Sequence, residues 1–389
     1  MKKIILFTEN YEIGGNNKYM IDLALMAKSA NHEVKIFVNQ FGLFEHDLSE
    51  LKHQQLCFNE IPILSWGELR SKYHLRNKPL FKYLIKIIHL TLEPVIWLYQ
   101  FVRFMTLISL EKPDWIVCAN GGYPAGGAVL RFCLAGNLLG INTLLSIVSS
   151  PSTHPNDKRR MIFWNKALAG STDLIVANSS QILNEMTTKG FAKNRQKVIY
   201  NGIFGKIERP IRKYEKIKFV FMGRLEYAKG VDVIIETIQK LKKVHLDQFE
   251  FHFYGLGSYL NHLEQLKHEM PNHIFVHGYY KGDLADLMKN YDVLLLPSRH
   301  EGLPYVILEA MRAGCICLTS RVGGIPEAIQ DNENGFLIDQ IDAKSLLIKI
   351  ENLIIHKKNL ELISINAQKV FNDKFEKSEI FKANACIFD

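Results

Sequence analysis

The sequence predicts an α/β protein of two doubly wound domains, and three observations predict it. The chain has 389 residues, too many for one average domain and suited to two of roughly 150–200 residues each. Its first segment runs strand, glycine-bearing loop, helix, strand, and a second segment beyond residue 215 opens in the same way. After each opening, short apolar runs alternate with amphipathic stretches, as in parallel strands joined by crossover helices.

The elements follow in order. Lys3–Phe7 is an apolar strand; Glu9, Asn10 and Glu12 close the run too early for a signal peptide. Gly14-Gly15 leads into an amphipathic helix, Lys18–Ala30, and then a strand, His32–Val38. Pro113–Val117 is a strand, and Asn120–Gly127 is a glycine-rich turn into a helix. Ile141–Val148 and Asp173–Ala177 are strands, and Ser179–Gly190 is a helix closed by glycine. Ile203–Tyr214, rich in Lys and Arg and containing Pro210, reads as the linker. The second half has strands at Lys216–Met222, Phe249–Tyr254, Ile274–His277, Val293–Leu296 and Ile316–Ser320. Its helices are Val231–Val244, Asp283–Asn290, Val306–Ala313, Pro326–Ile329, Ala343–His356 and Leu360–Phe371. The expected division is a first domain over 1–205, a second over 206–370 and a C-terminal helix in 371–389 that crosses back to the first domain.

Lys78–Leu110 stands apart. It is rich in Leu, Ile, Phe, Tyr and Trp, but Lys82, Lys86, His89, Glu93, Pro94 and Arg103 interrupt it. No run of ~18 uncharged apolar residues exists there, so it does not read as a membrane span. Two readings stand: a pair of core helices broken at Pro94, or an interfacial helix with lysines at lipid headgroups and aromatics below.

The net charge is +8, and it is unevenly placed. Residues 1–200 hold 23 Lys and Arg against 15 Asp and Glu, whereas residues 201–389 hold 25 of each. The first half therefore faces an anionic partner. No nucleic-acid motif is present, so an anionic membrane surface or a lipid-phosphate acceptor fits better than nucleic acid. The six cysteines form no C-x-x-C and no zinc spacing, and they read as reduced thiols of a cytoplasmic protein.

Tyr291–Asp339 carries the densest chemistry. Glu301-Gly302-Leu303-Pro304 precedes an apolar helix in which a second acid, Glu309, is embedded. A carboxylate buried in such a helix requires donors, supplied by a ribose diol or by a buried Arg or Lys. Gly302, Leu303 and Tyr305 offer backbone N–H groups at a helix N-terminus to phosphate or sugar oxygens, and Pro304 suits the first helical turn. In Gly223–Gly230, Arg224 and Lys229 are spaced to converge on one diphosphate, the first bidentately and the second as a point charge. Tyr280, in the turn Gly278–Gly282, offers an aromatic face on which a planar group can stack. Lys158-Arg159-Arg160 reads as a phosphate-binding group or a solvated helix face.

Taken together, G-R-x4-K-G, the E-x7-E of Glu301 and Glu309, Gly323-Gly324-Ile325-Pro326-Glu327, Asn334-Gly335-Phe336 and Gly14-Gly15 resemble the signature of the retaining glycosyltransferases of family 4. The resemblance implies the GT-B fold, two Rossmann-like domains facing a central cleft, with the acceptor in the first and the donor in the second. It implies Glu301 beside the donor sugar, Glu309 on the ribose, Arg224 and Lys229 on the diphosphate, and the Gly14-Gly15 loop closing over it. Many family members carry a histidine after the fourth strand; Ser149 or Ser150 stands there, and His154 is the candidate to fill that role from a longer loop. The implied reaction moves a hexose or N-acetylhexosamine from a nucleotide diphosphate, UDP most commonly, to a hydroxyl with retention. No D-x-D motif occurs, which agrees with Arg224 and Lys229 carrying the charge without a metal. The basic first half adds the expectation of a lipid-linked or cell-surface glycan acceptor, such as lipopolysaccharide, met at the inner face of the membrane by a peripheral protein. The alternatives are an epimerase of the same architecture and a non-catalytic sugar-nucleotide sensor.

Overall fold

The computed structural model describes residues 1–9, 15–39, 54–63, 79–152, 157–208, 216–241, 247–355 and 357–389. It divides into two compact units, Met1–Ile199 with Phe381–Asp389, and Tyr200–Ile380. The first unit thus ends before the expected residue 205, and only the last nine residues of the C-terminal segment belong to it.

The first unit is a parallel sheet of seven strands: β1 (Lys3–Thr8), β2 (Glu33–Asn39), β3 (Cys57–Ile61), β4 (Trp115–Asn120), β5 (Asn142–Ile147), β6 (Leu174–Ala177) and β7 (Gln196–Val198). Its order is β3-β2-β1-β4-β5-β6-β7. The second unit has six parallel strands: β8 (Ile217–Met222), β9 (Phe249–Tyr254), β10 (Ile274–Gly278), β11 (Val293–Leu296), β12 (Ile316–Ser320) and β13 (Gly335–Ile338). Its order is β10-β9-β8-β11-β12-β13, the same winding from the central strand outward in both directions. Strands such as Ile4–Phe7 and Val293–Leu296 are buried along their whole length because a parallel sheet is covered on both faces.

Helices fill the crossovers. The first unit has α1 (Gly15–Ser29), α2 (Pro79–Glu111), α3 (Gly127–Leu138), α4 (Lys158–Leu168) and α5 (Ser180–Thr188). Then come α6 (Val231–Lys240), α7 (Leu260–Glu269), α8 (Leu284–Met288), α9 (Tyr305–Arg312), α10 (Ile325–Ala328), α11 (Ala343–Ile355), α12 (Lys357–Lys374) and α13 (Lys377–Ala383). Phe7, Phe104 and Phe132 form an aromatic knot that fastens α2 and α3 to β1, with ring centroids 5.0–5.4 Å apart. At the C-terminus, the Phe388 ring meets Trp115 and His32 edge-on within the first unit.

α2 corrects one expectation. It is a single helix of 33 residues with Pro94 inside it, not two helices broken at Pro94. Pro94 itself is exposed, and a proline there leaves the carbonyl four residues earlier without its helical N–H partner. α2 is also not a core helix all round: Phe104 and Ile108 are buried, whereas Val95, Leu98, Tyr99 and Val102 are about half exposed or more. Among the described residues no helix is long and apolar enough to cross a membrane.

Candidate active site

The second unit gathers its motifs at the C-terminal ends of β8, β11 and β12, where a doubly wound sheet changes direction and offers a crevice. The loop after β11, Pro297–Gly302, is the centre. Two glycines in the left-handed region press on it. Gly230 has φ 72°, and a Cβ there would stand 2.0 Å from the Pro297 carbonyl oxygen. Gly323 has φ 56°, and a Cβ there would stand 2.0 Å from the Glu301 carbonyl oxygen. Only glycine permits both approaches. The Gly324 N–H also donates to the Gly302 carbonyl at 2.6 Å. The segments G-R-x4-K-G and Gly323-Gly324 are therefore held against the loop that carries Glu301.

That packing sets one contact of consequence. Lys229 lies at the end of a 3-10 turn, Tyr227–Lys229, and its Nζ donates to Glu301 Oε1 at 2.6 Å. The Glu301 side chain is only 8% exposed, so the pair is a charge-assisted bond shielded from most solvent. Glu309 is buried in α9, with Oε2 3.8 Å from Arg312 Nη1, an ion-pair distance rather than a hydrogen-bond one. Pro304 is the N-cap of α9 with an extended backbone, and Tyr305 is the first helical residue, so Pro304 stands just outside the first turn expected for it. Gly302 and Leu303 are buried beside that terminus, and the Leu303 carbonyl accepts from the Asn201 side chain.

The remaining candidates occupy looser settings. Arg224 is half exposed, with Nη1 3.2 Å from Glu226 Oε2. The Tyr280 ring is edge-on to Tyr254 at 6.0 Å, and the Tyr254 hydroxyl is 2.7 Å from that of Tyr291. Asn334 is fully engaged in its own turn: Oδ1 accepts from the Gln330 N–H, and Nδ2 donates to the Ala328 carbonyl. In the first unit, Gly15 begins α1, and Ser149 Oγ donates to the Gly121 carbonyl at 2.5 Å. Gly14 and His154 lie outside the described residues. Among the described residues no group of three or more His, Cys, Asp or Glu gathers as a metal site would.

One contributor escaped the sequence reading. Arg299 binds Asp232 bidentately at 2.8 and 2.7 Å and lies over the Tyr227 ring at 3.6 Å. Its backbone N–H donates to the Ala228 carbonyl at 2.9 Å. The Asp232 carboxylate favours the charged guanidinium and pushes its pKa up. Arg299 thus ties the turn that presents Lys229 to the loop that presents Glu301. Asp232 is 67 positions away in the chain, so no local spacing announces the pair.

A doubly wound unit with a shielded lysine–carboxylate pair at its switch point, paired with a second doubly wound unit, is the architecture of the GT-B proteins. Comparison with known proteins agrees. The family model for glycosyl transferases group 1 matches residues 205–370, and that for Glycosyltransferase Family 4 matches residues 13–203. The chain belongs to the group 1, family 4-like glycosyltransferases, a family of transferase enzymes.

An uncharacterized 41.2 kDa protein of the cps region of Klebsiella pneumoniae is 28% identical over 59% of this chain and 65% of its own length. An uncharacterized glycosyltransferase of Methanocaldococcus jannaschii is 28% identical over 69% of this chain and 73% of its own. The chain thus spans about two thirds to three quarters of these two relatives. Among solved structures, HepE of Anabaena in complex with UDP superposes with a TM-score of 0.75, covering 99% of this chain and 98% of that one at 17% identity. At that identity the likeness shows the fold, which is GT-B.

Proposed function

We propose that the protein is a retaining glycosyltransferase. It moves a hexose or N-acetylhexosamine from a UDP-sugar to a hydroxyl of a lipid-linked or cell-surface glycan, forming an α-linkage without a metal. The observation that carries this reading is the Lys229–Glu301 bond, which joins the two donor motifs beside the N-terminus of α9. Lys229 and the half-exposed Arg224 supply positive charge for a diphosphate, where it counts most as the leaving group gains charge. The N-terminus of α9 adds a favourable dipole for an anion or a sugar oxygen. Glu309 fits a ribose diol because it is buried one turn into that helix, and Glu301 fits the sugar side because it lies at its mouth. Tyr280 is the candidate platform for the base, and the Gly14-Gly15 segment with His154 is the candidate contribution of the first unit.

Support for UDP comes from HepE, whose solved structures carry UDP and UDP-glucose. Support for a glycan acceptor comes from the Klebsiella relative of a cps region. The excess positive charge of residues 1–200 supports an acceptor met at an anionic membrane face by a peripheral protein.

A thermal-shift panel of UDP-, GDP-, ADP- and dTDP-sugars, run in EDTA and again with added magnesium, and repeated on Glu309→Ala, tests the donor site. Stabilisation by UDP-sugars alone, lost in the variant, is the expected outcome. Stabilisation by none of them would reject the donor assignment, and a requirement for divalent metal would reject its metal-free form.

A further inference from the structure

We propose that α4 and the outer face of α2 form one docking surface for an anionic lipid bilayer, α4 supplying the charge and both helices the apolar area. This rests on the membrane-proximal acceptor described above and names the surface that would meet the membrane.

α4 reads Lys-Arg-Arg-Met-Ile-Phe-Trp-Asn-Lys-Ala-Leu and contains no acidic residue. Lys158, Arg159, Arg160 and Lys166 are exposed. Asp157, just before the helix, is the acid beside them, 3.7 Å from Arg160. The same exposed side presents Ile162 at 60% and Phe163 at 51% exposure, while Trp164 and Leu168 turn into the core. Two large apolar side chains set among four cations on a helix of 11 residues are not explained by packing within the unit.

On α2, Val95, Leu98, Tyr99 and Val102 are exposed at the spacing i, i+3, i+4, i+7, which makes one stripe along the helix. The opposite side, with Phe104 and Ile108, is spent on the core. α2 and α4 both pack against α3, and all three serve rightward crossovers of the sheet, so they lie on the same face of it.

The combination selects the partner. A soluble polyanion would use the cations and leave the apolar side chains wet. An anionic bilayer uses both: Lys and Arg reach the headgroups while Ile, Phe, Leu and Val enter the acyl boundary. The positive balance of residues 1–200 has the sign that such a surface attracts.

Flotation of the full chain with phosphatidylcholine vesicles, with and without phosphatidylglycerol, tests the proposal. The variants are Arg159→Glu/Lys166→Glu, Ile162→Ser/Phe163→Ser and Leu98→Ser/Val102→Ser. All six side chains point outward, and an unchanged Tm with retained UDP-sugar stabilisation confirms that each variant is folded. The wild type is expected to float with anionic vesicles only. The charge variant is expected to lose about twentyfold or more of its partition, at about fivefold per basic residue. Both apolar variants are expected to lose partition although their charge is unchanged.

Loss in the charge variant with none in either apolar variant would overturn the apolar contact proposed for both helices and reduce the surface to an electrostatic one. Full partition in all three variants would move the docking surface elsewhere while leaving the membrane-proximal reading intact. A wild type that never floats would overturn both, and the UDP-sugar response would then decide the transferase reading separately.

Discussion

The two units share a strand order and differ in what they do with it. In the second, residues Tyr200–Ile380 hold equal numbers of cations and acids, and the side chains of interest are anchored: Lys229 to Glu301, Arg299 to Asp232, Arg312 near Glu309. In the first, the charge is unbalanced, and α2 and α4 leave large apolar side chains in water. One winding can thus present a preorganised pocket, where tight glycine turns fix a few groups, or a broad surface, where many side chains each contribute a little. On the function proposed above, the roles divide along the same line, and substitutions can test the division.

The largest effect is expected from Lys229→Ala and Glu301→Ala, which remove either half of the shielded pair. Each should lower kcat/KM by about a thousandfold and leave vesicle flotation untouched; a parallel fall in flotation would show that the units do not act separately. Arg299→Ala comes next, at about ten- to a hundredfold in kcat/KM, because it misplaces Lys229 rather than deleting it. Arg299→Lys should recover only part of this, since lysine cannot pair bidentately with Asp232 or lie flat on Tyr227. A loss of Tm with unchanged kcat/KM per folded molecule would reduce Arg299 to a stabilising residue.

Gly323→Ala places a Cβ against the Glu301 carbonyl at φ 56°, and urea unfolding should show a loss of more than about 1 kcal/mol.

The smallest effect concerns pH. Burial pushes His252 and His277 below the usual 6.5, and their ring nitrogens, 3.0 Å apart, oppose double protonation. Glu250, Lys218 and Tyr291 also face this pair. The folded chain therefore protonates these histidines at lower pH than the unfolded chain, which takes up its protons as pH falls through 6.5. Stability of the second unit should therefore decline below pH 6.5 and be unaffected by these groups above it. His252→Gln should flatten that decline in a pH series of thermal melts; an unaltered slope would remove the pair from the account.

Much of the fold was legible. Strands such as Phe249–Tyr254, Val293–Leu296 and Ile316–Ser320 occur where the sequence placed them, Val293–Leu296 because double burial demands an uninterrupted apolar run and Phe249–Tyr254 because its apolar residues alternate with Glu250 and His252. α2 was less legible. A proline inside an apolar stretch reads as a break, and only the packing of Phe104 against Phe7 and Phe132 shows the helix held through it, with Pro94 turned to water. At the site, motif spacing pointed to Lys229 and Glu301, but not to their direct bond across 72 residues or to the Arg299 tie that braces it.

The sequence by itself determined the two doubly wound sheets, the family and the charge asymmetry, since each is written in local periodicity, short motifs or a count of residues. The tertiary structure decided which groups meet and which sides stay wet. Gly230 and Gly323 close on the β11 loop, Arg299 finds Asp232, and the stripes of α2 and α4 are left uncovered. Such outcomes depend on three-dimensional distances between positions far apart in the chain, which no local pattern encodes.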